Sequence, residues 1–247
     1  MSKKVESGFH MLSYRKKIAV TGGKGRFASI LKNFFNGNNI FYLKKNDLDI
    51  LNFKAVDKYL KRKKINILVH LAGMSRPMVD HEKDINKSIE LNIIGTSNIV
   101  RACNINKTKL IYISTNYVYP CVKGPYREHD ALLPFNKYGW SKLGAESAVR
   151  MYKNSLIVRV SMTEKPFIHK SAFTNVISNF MFHDEFAKSF SKIINKKGII
   201  NVGGKRQSIY NFAKKFNKNI KMRKALTRNN DQSMNVNKFN KIIFNEK

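Results

Sequence analysis

The feature that most restricts this chain is a glycine-rich turn set directly after its first apolar run. Residues 17–21 read as a buried strand, and Val20-Thr21-Gly22-Gly23-Lys24-Gly25-Arg26-Phe27-Ala28 carries that strand into a helix over residues 26–35. Gly22 permits a tight turn, Gly25 lets a phosphate approach the backbone, and the small Ala28 lets helix and strand pack closely. The free N–H groups and dipole at such a helix start favour an anion. A turn of this kind also serves as an ordinary strand-to-helix connection, and its position after the first strand gives it weight. The alternation then repeats. Strands are predicted at 40–44, 65–70, 110–114 and 155–160, and helices at 52–62, 83–104 and 136–152. Ile89, Ile93, Ile94 and Val100 fall on one face of the long middle helix, and Asn52 and Asn136 are placed to cap their helices. The pattern predicts an α/β fold with a doubly wound parallel sheet.

Beyond residue 160 the periodicity weakens. A helix over 172–194, a strand over 199–202 and a helix over 208–216 are expected, and the last thirty or so residues give no element. The predicted organisation is a polar tail (1–16), a nucleotide-binding domain (17–160), and a small substrate lobe with a basic tail (161–247). A chain of 247 residues suits this plan.

Lys and Arg number 47 against 16 acids, a net charge of +31, which draws anionic partners. The basic residues are spread along the chain, with no zinc-finger spacing and no RNP-like aromatic motif. Compositional drift towards Lys and Asn, together with a small anionic ligand, therefore explains the charge better than nucleic acid. Cys103 and Cys121 make no disulfide framework, which points to a reducing compartment. Residues 1–17 lack the apolar core of a signal peptide, and no apolar run is long enough to span a bilayer. A soluble, cytoplasmic protein without membrane partners is expected. His10, His81, His129, His169 and His183 show no metal-binding spacing, so no metal is expected. His70 reads as a packing residue at a strand end.

The second predicted strand ends Phe41-Tyr42-Leu43-Lys44-Lys45. An acid at that place would hold a ribose 2′-hydroxyl, whereas Lys44, helped by Arg26, would attract a 2′-phosphate. This favours NADPH over NADH, with NAD as the other option; the lysines also suit a solvated surface. The strand ending His70-Leu71-Ala72-Gly73 would pass beside the same ligand, its small residues allowing close approach.

The chemistry sits further on. Ser114-Thr115-Asn116-Tyr117-Val118-Tyr119 closes the fourth strand, and Tyr138-Gly139-Trp140-Ser141-Lys142 opens a helix. Tyr138 and Lys142 are four apart, hence on one helix face. An ammonium nearby stabilises a phenolate and lowers the phenol pKa, so that the tyrosine can exchange a proton with a carbonyl or alcohol oxygen. The Thr115 hydroxyl can hold that oxygen while a hydride passes to or from a nicotinamide. A Tyr-x-x-x-Lys spacing alone also fits a surface pair; the order of glycine turn, strand-end Ser-Thr, Tyr-x-x-x-Lys and strand is what carries the reading.

The stretch ISTNYVYP…GPYREHDALLPFNKYGWSKLGAE resembles the extended short-chain dehydrogenase/reductases that act on nucleotide sugars, within them most the dTDP-4-dehydrorhamnose reductase group. The resemblance covers about residues 17–212 and is specific over 109–161. It implies a Rossmann fold, reduction of a 4-keto-6-deoxy nucleotide sugar with NADPH, and Thr115, Tyr138 and Lys142 as the catalytic triad. It further implies Asn92 as support for the active-site lysine, and a cofactor site of Gly22, Gly25, Arg26, Phe27, Lys44, Leu71, Ala72, Gly73, Tyr138 and Lys142. Asp49 and Ile50 resemble the acidic–apolar pair beside the adenine. Ser75 and Arg76 match positions near the sugar, together with Asn116 and Tyr117. Lys205 and Arg206 are candidates for a nucleotide diphosphate, although surface charge explains them as well. The group's STD reads Ser114-Thr115-Asn116 here, which leaves the triad intact but replaces an acid near the sugar by an amide. The Asp-Glu pair of dehydratase relatives is also missing, which argues against a 4,6-dehydratase. A nucleotide-sugar 4-epimerase with tightly held NAD, a non-catalytic regulatory subunit of the same fold, and a homodimer are the alternatives the class leaves open.

Overall fold

In a computed structural model, residues 16–226 and 230–244 are described. His10 and nearly all of the predicted 1–16 tail lie outside them. Strands β1 (Ile18–Thr21), β2 (Ile40–Leu43), β3 (Ile67–His70), β4 (Lys109–Thr115) and β5 (Ser155–Val160) form a parallel sheet with a sixth strand, Gly198–Val202. The spatial order is Gly198–Val202, β5, β4, β3, β1, β2. Chain order reverses at β1, which pairs with both β2 and β3. A crevice therefore opens above the carboxyl ends of β1 and β3.

Helices cover both faces because each strand alternates its side chains between them. On one face Ile18 and Val20 meet Phe27 and Leu31 of helix α1 (Arg26–Phe34). On the other, Ala19 and Leu68 meet Val56 and Leu60 of α2 (Phe53–Lys63). Asn52 caps α2 as expected, accepting from the Ala55 amide at 3.0 Å.

The predicted middle helix is divided. A short α3 (Met78–Lys83) ends at Asp84, and α4 (Ile85–Ser88) runs through a π-helical segment, Ile89–Ile94, into α5 (Gly95–Ile105). Helix α6 (Lys137–Arg150) starts at Asn136, whose side chain accepts from the Gly139 amide at 2.7 Å.

Two expectations fail beyond residue 160. The layer built on the parallel sheet does not stop there, because Gly198–Val202 pairs in parallel with β5 and α7 (His183–Ile193) buries Phe186 and Phe190 against α1. The helix expected over 172–194 is confined to α7. Before it, Ser171–Phe173 pairs with Lys221–Arg223, and Ile177–Ser178 pairs with Gln207–Ser208. The run Thr174-Asn175-Val176-Ile177-Ser178-Asn179 is poor in helix formers, and partners distant in sequence recruit it into β structure. The chain closes with α8 (Ile209–Lys214) and α9 (Asn237–Ile243), the latter unforeseen.

One buried ion pair ties the layers together. Arg159 on β5 donates to Glu146 on α6 at 2.7 Å, with neither side chain exposed. Arg159 also donates to the Tyr119 hydroxyl at 2.7 Å and to the Glu128 carbonyl at 3.0 Å, fastening the long loop after β4 to the sheet.

Candidate active site

A cavity of about 520 Å³ occupies the crevice, roofed by residues beyond β5. Its floor includes the glycine turn. Gly22 adopts φ +70°, and a Cβ there would stand 2.8 Å from the Ala72 backbone nitrogen, so only glycine fits. The helix start at Gly25 has no side-chain cap and no acid in its first turn, which leaves its amides open to an anion. Gly22, Gly25, Arg26 and Phe27 line the cavity, as do Leu71, Ala72 and Gly73 from the end of β3. Lys44, Asp49 and Ile50 do not reach its wall. The Lys44 amide is held by the Asp47 carboxylate at 2.8 Å, Asp49 accepts from the Leu51 amide at 3.0 Å, and Ile50 is buried beside Gly95. The lining thus fits a dinucleotide's pyrophosphate at the turn, while the three residues expected toward its adenosine end stand outside the enclosed space.

Thr115, Asn116, Tyr117, Tyr138 and Lys142 all face the cavity. β4 delivers Thr115 at its carboxyl end and α6 delivers Tyr138 in its first turn. Burial pushes the Tyr138 phenol up to about 12, against a hydrogen bond with Thr115 that pulls it down. The expectation that Lys142 makes this phenol more acidic therefore fails here. The Lys142 amine donates instead to the Ile113 carbonyl at 2.8 Å and lies 4.2 Å from the Tyr112 ring centroid. Burial lowers its pKa to about 7, with Glu146 opposing. The low value leaves the amine poised to exchange its proton near neutral pH.

Asn92 stands in the π-helical segment behind the cavity. Its Oδ1 accepts from the Met74 amide at 2.8 Å, and its amide donates to the Met74 carbonyl at 2.9 Å and to Ser141 at 2.8 Å. It pins the segment after β3 to α6, and its hydrogen bonds go to Met74 and Ser141 and not to Lys142. His70 is a packing residue, as expected: it bonds Thr21 at 2.8 Å and Thr96 at 3.1 Å, and burial drops its pKa to about 3.

Ser75 and Arg76 line the cavity, but Arg76 is engaged. Its guanidinium donates to Glu164 at 2.7 Å, and Glu164 also pairs with Arg26 at 3.3 Å. Sequence reasoning missed Glu164, which no motif marks. It missed the roof as well, where Phe167, Lys170, Phe173 and Arg223 face inward from weakly patterned segments. His183 also lines the cavity, its pKa lowered to about 4 chiefly by burial. Lys205 and Arg206 do not line it, and Arg206 is paired with Asp231. The described residues contain no cluster able to hold a metal ion, and no helix among them is long and apolar enough to cross a membrane.

A family model described as the RmlD substrate binding domain matches residues 16–185. Among curated proteins, the methionine adenosyltransferase 2 subunit beta of Pongo abelii is 29% identical over 144 residues, spanning 54% of this chain and 42% of that protein. The dTDP-4-dehydrorhamnose reductase of Mycolicibacterium smegmatis is 28% identical over 152 residues, spanning 59% of this chain and 45% of that protein. The match thus spans less than half the length of either relative. Among solved structures, a dTDP-4-dehydrorhamnose reductase from Bacillus anthracis in complex with NADP superposes with a TM-score of 0.82. The two chains are 23% identical, with 91% of each covered.

Proposed function

We infer the function from one premise: the chain belongs to the RmlD substrate binding domain family. On that premise we read it as an NADPH-dependent reductase of a 4-keto-6-deoxy nucleotide sugar, with NAD as the other usable cofactor. The observation that carries the reading is the convergence of Thr115, Tyr138 and Lys142 on one cavity with the glycine turn. The NADP complex of the Bacillus anthracis reductase supports the choice of cofactor.

Gly22 and the open start of α1 would hold the pyrophosphate, and Ala72 and Gly73 would let the dinucleotide pass close to the backbone. Bound there, the nicotinamide supplies the hydride. Thr115 and Tyr138 would share the keto oxygen by hydrogen bonds, and the Tyr138 phenol would give its proton to that oxygen as the carbonyl is reduced. The phenolate left behind recovers a proton by way of Lys142, whose pKa near 7 suits the exchange. No Asp or Glu lines the cavity among the described residues, which supports reduction over an elimination needing paired carboxyl groups. In this reading residues 17–160 supply most of the cofactor half and residues after 160 the substrate half.

A panel of 4-keto nucleotide sugars with NADPH and NADH tests the reading through oxidation of the coenzyme. Tyr138→Phe is expected to lower turnover by about 10²–10⁴-fold while keeping coenzyme affinity. Unchanged turnover would exclude the mechanism.

A second reading has support of its own, since several matched relatives are methionine adenosyltransferase 2 subunits beta. In it the chain keeps the fold and the coenzyme site and acts by binding an enzyme partner. Coenzyme binding without turnover on any sugar, together with a stoichiometric complex, would favour that reading.

A further inference from the structure

The parallel sheet has a second edge, at the amino ends of its strands and opposite the cavity. Helices α1, α2, α5, α6 and α7 each return the chain to it through a short connection. Residues 35–39, 63–66, 105–108, 151–154 and 194–198, which make these returns, contain no Asp, Glu or Arg. Lys64, Lys107, Lys153 and Lys197 stand exposed in them, and Lys17 stands exposed at the entry to β1. The connections at the cavity edge, by contrast, carry Asp47, Asp49, Glu128, Asp130 and Glu164. A positive charge spread along the whole sequence is thus left uncancelled at one end of the fold.

Backbone pairing sets these positions along one row. The Asn66 amide donates to the Lys17 carbonyl at 2.9 Å, the Lys109 amide to the Asn66 carbonyl at 2.9 Å, and the Leu110 amide to the Asn154 carbonyl at 3.1 Å. The Lys109 amine donates to the Lys196 carbonyl at 2.7 Å and so extends the row to the sixth strand. Six strands at the usual spacing make this face about 24 Å wide. Burial first, then Lys197 and Lys16, lower the Lys109 pKa to about 8, which reflects like charges gathered at this edge. Lys17, Lys64, Lys107, Lys153 and Lys197 have no ion-pair partner among the described residues. Asp57 on α2 lies near the row, where it accepts from the Asn106 side chain at 2.7 Å. Each helix ending here brings about half a negative charge on its last carbonyls, whereas a lysine brings a full positive one. The helix ends therefore offset only part of the lysine charge.

Two apolar side chains project from the same edge. Ile105 closes α5 with 59% of its surface exposed, and Met151 follows α6 with 86% exposed. The Tyr152 hydroxyl donates to the Cys103 and Thr108 carbonyls at 3.2 and 2.9 Å, which ties the two turns together. We propose that this lysine-rich edge docks peripherally on an anionic bilayer, with Ile105 and Met151 entering the headgroup layer. Lysine supplies a point charge that needs no fixed geometry in its partner, which suits mobile lipid phosphates. Exposed apolar tips beside lysines add the second attraction that such docking uses. A nucleic acid fits less well, because these connections hold no arginine fork and no exposed aromatic ring for a base. The sequence led to no expectation of a membrane partner because the charges meet only in the fold. Docking here needs no spanning helix and leaves the cavity facing away from the bilayer.

Partition of the full chain onto vesicles tests it, with phosphatidylcholine mixed with phosphatidylglycerol set against phosphatidylcholine alone. The native chain should bind the mixed vesicles and be released by added salt. An edge variant combining Lys17→Gln, Lys64→Gln, Lys153→Gln and Lys197→Gln should bind them about 100-fold or more weakly, from about 5-fold per lysine. A control variant removes the same charge elsewhere, through Lys87→Gln, Lys123→Gln, Lys214→Gln and Lys218→Gln, all exposed positions off this edge. It should lose less than about 5-fold. Ile105→Ser with Met151→Ser should weaken binding by about 5-fold or more with the charge intact. Thermal melting of each variant confirms that it is folded at the temperature of the measurement.

Equal losses in the edge and control variants would overturn the proposal, since net charge alone would then explain the binding. So would native-like binding by the edge variant or by the double serine variant, or a native chain that does not prefer the anionic vesicles. Capture of duplex DNA in place of those vesicles, in direct competition at equal phosphate, would overturn it in favour of nucleic acid. The proposal does not depend on the chemistry of the cavity. Docking without turnover of any keto sugar leaves it standing while the reductase reading falls, and turnover without docking does the reverse.

Discussion

At the scale of single residues, the sequence names the groups but not their electrostatics. Ser-Thr at a strand end and Tyr-x-x-x-Lys on a helix were enough to bring Thr115, Tyr138 and Lys142 to one cavity. The protonation argument reversed, because burial outweighs neighbouring charge at Tyr138 and the Lys142 amine turns to a carbonyl. That reversal has a consequence for stability. The folded-state pKa of Lys142 is about 7 against an ordinary 10.5, so between these values the unfolded chain binds more protons than the folded one. The stability lost to this lysine is therefore largest at and below about pH 7 and shrinks as pH rises toward 10.5. Lys142→Met in the coenzyme-free protein should gain most, relative to the native chain, near pH 6, with the advantage fading by pH 10. Chemical denaturation across that range measures it, and a pH-independent difference would contradict the burial of the amine. Glu164 was illegible for a different reason: an acid between two arginines is recognised only once three separate crossovers have been brought together.

At the scale of elements, local signals did well wherever a cap or a glycine controls the geometry. Asn52 and Asn136 cap the helices they were expected to cap, within a residue of the expected starts. Gly139 shows how closely α6 approaches the site, since a Cβ there would collide with the Tyr117 carbonyl oxygen. Gly139→Ala must displace the first turn of α6 from the end of β4, and with it Tyr138 from Thr115. The expected result is a loss of about 1–3 kcal/mol in unfolding free energy, the usual cost of forcing extra volume into a packed site. A fall in turnover larger than that in coenzyme affinity should accompany it. Calorimetric melting together with steady-state rates checks both. The helix expected over 172–194 failed because short strands recruit partners more than 25 residues away, as in the pairing of Ile177 with Ser208. No local window contains that partner. The π-helical turn at Ile89–Ile94 was equally silent in the sequence, although it places Asn92 against the segment after β3.

At the scale of the whole molecule, the layers are locked by a charge pair that apolar patterning does not mention. Arg159 and Glu146 are both fully buried, and removing one partner leaves the other uncompensated. Glu146→Ala should therefore cost about 3–5 kcal/mol, whereas replacing both residues by apolar ones of similar volume should cost less. Urea denaturation of the single and double variants decides this, and additive losses would show that the pair does not act as a unit.

The sequence by itself determined the α/β class, the order of the first five strands and helices, the glycine turn and the three residues, Thr115, Tyr138 and Lys142, that meet at one cavity. These depend on periodicity, turn chemistry and spacing, which act over a few neighbouring residues. Tertiary structure alone decided that the sheet continues past residue 160, and that Glu164 engages both Arg26 and Arg76. It decided too that Lys170 and Arg223, and not Lys205 and Arg206, face the cavity. Each of these outcomes depends on pairing between segments far apart in the chain, and on how strongly burial acts on charge once those segments have met.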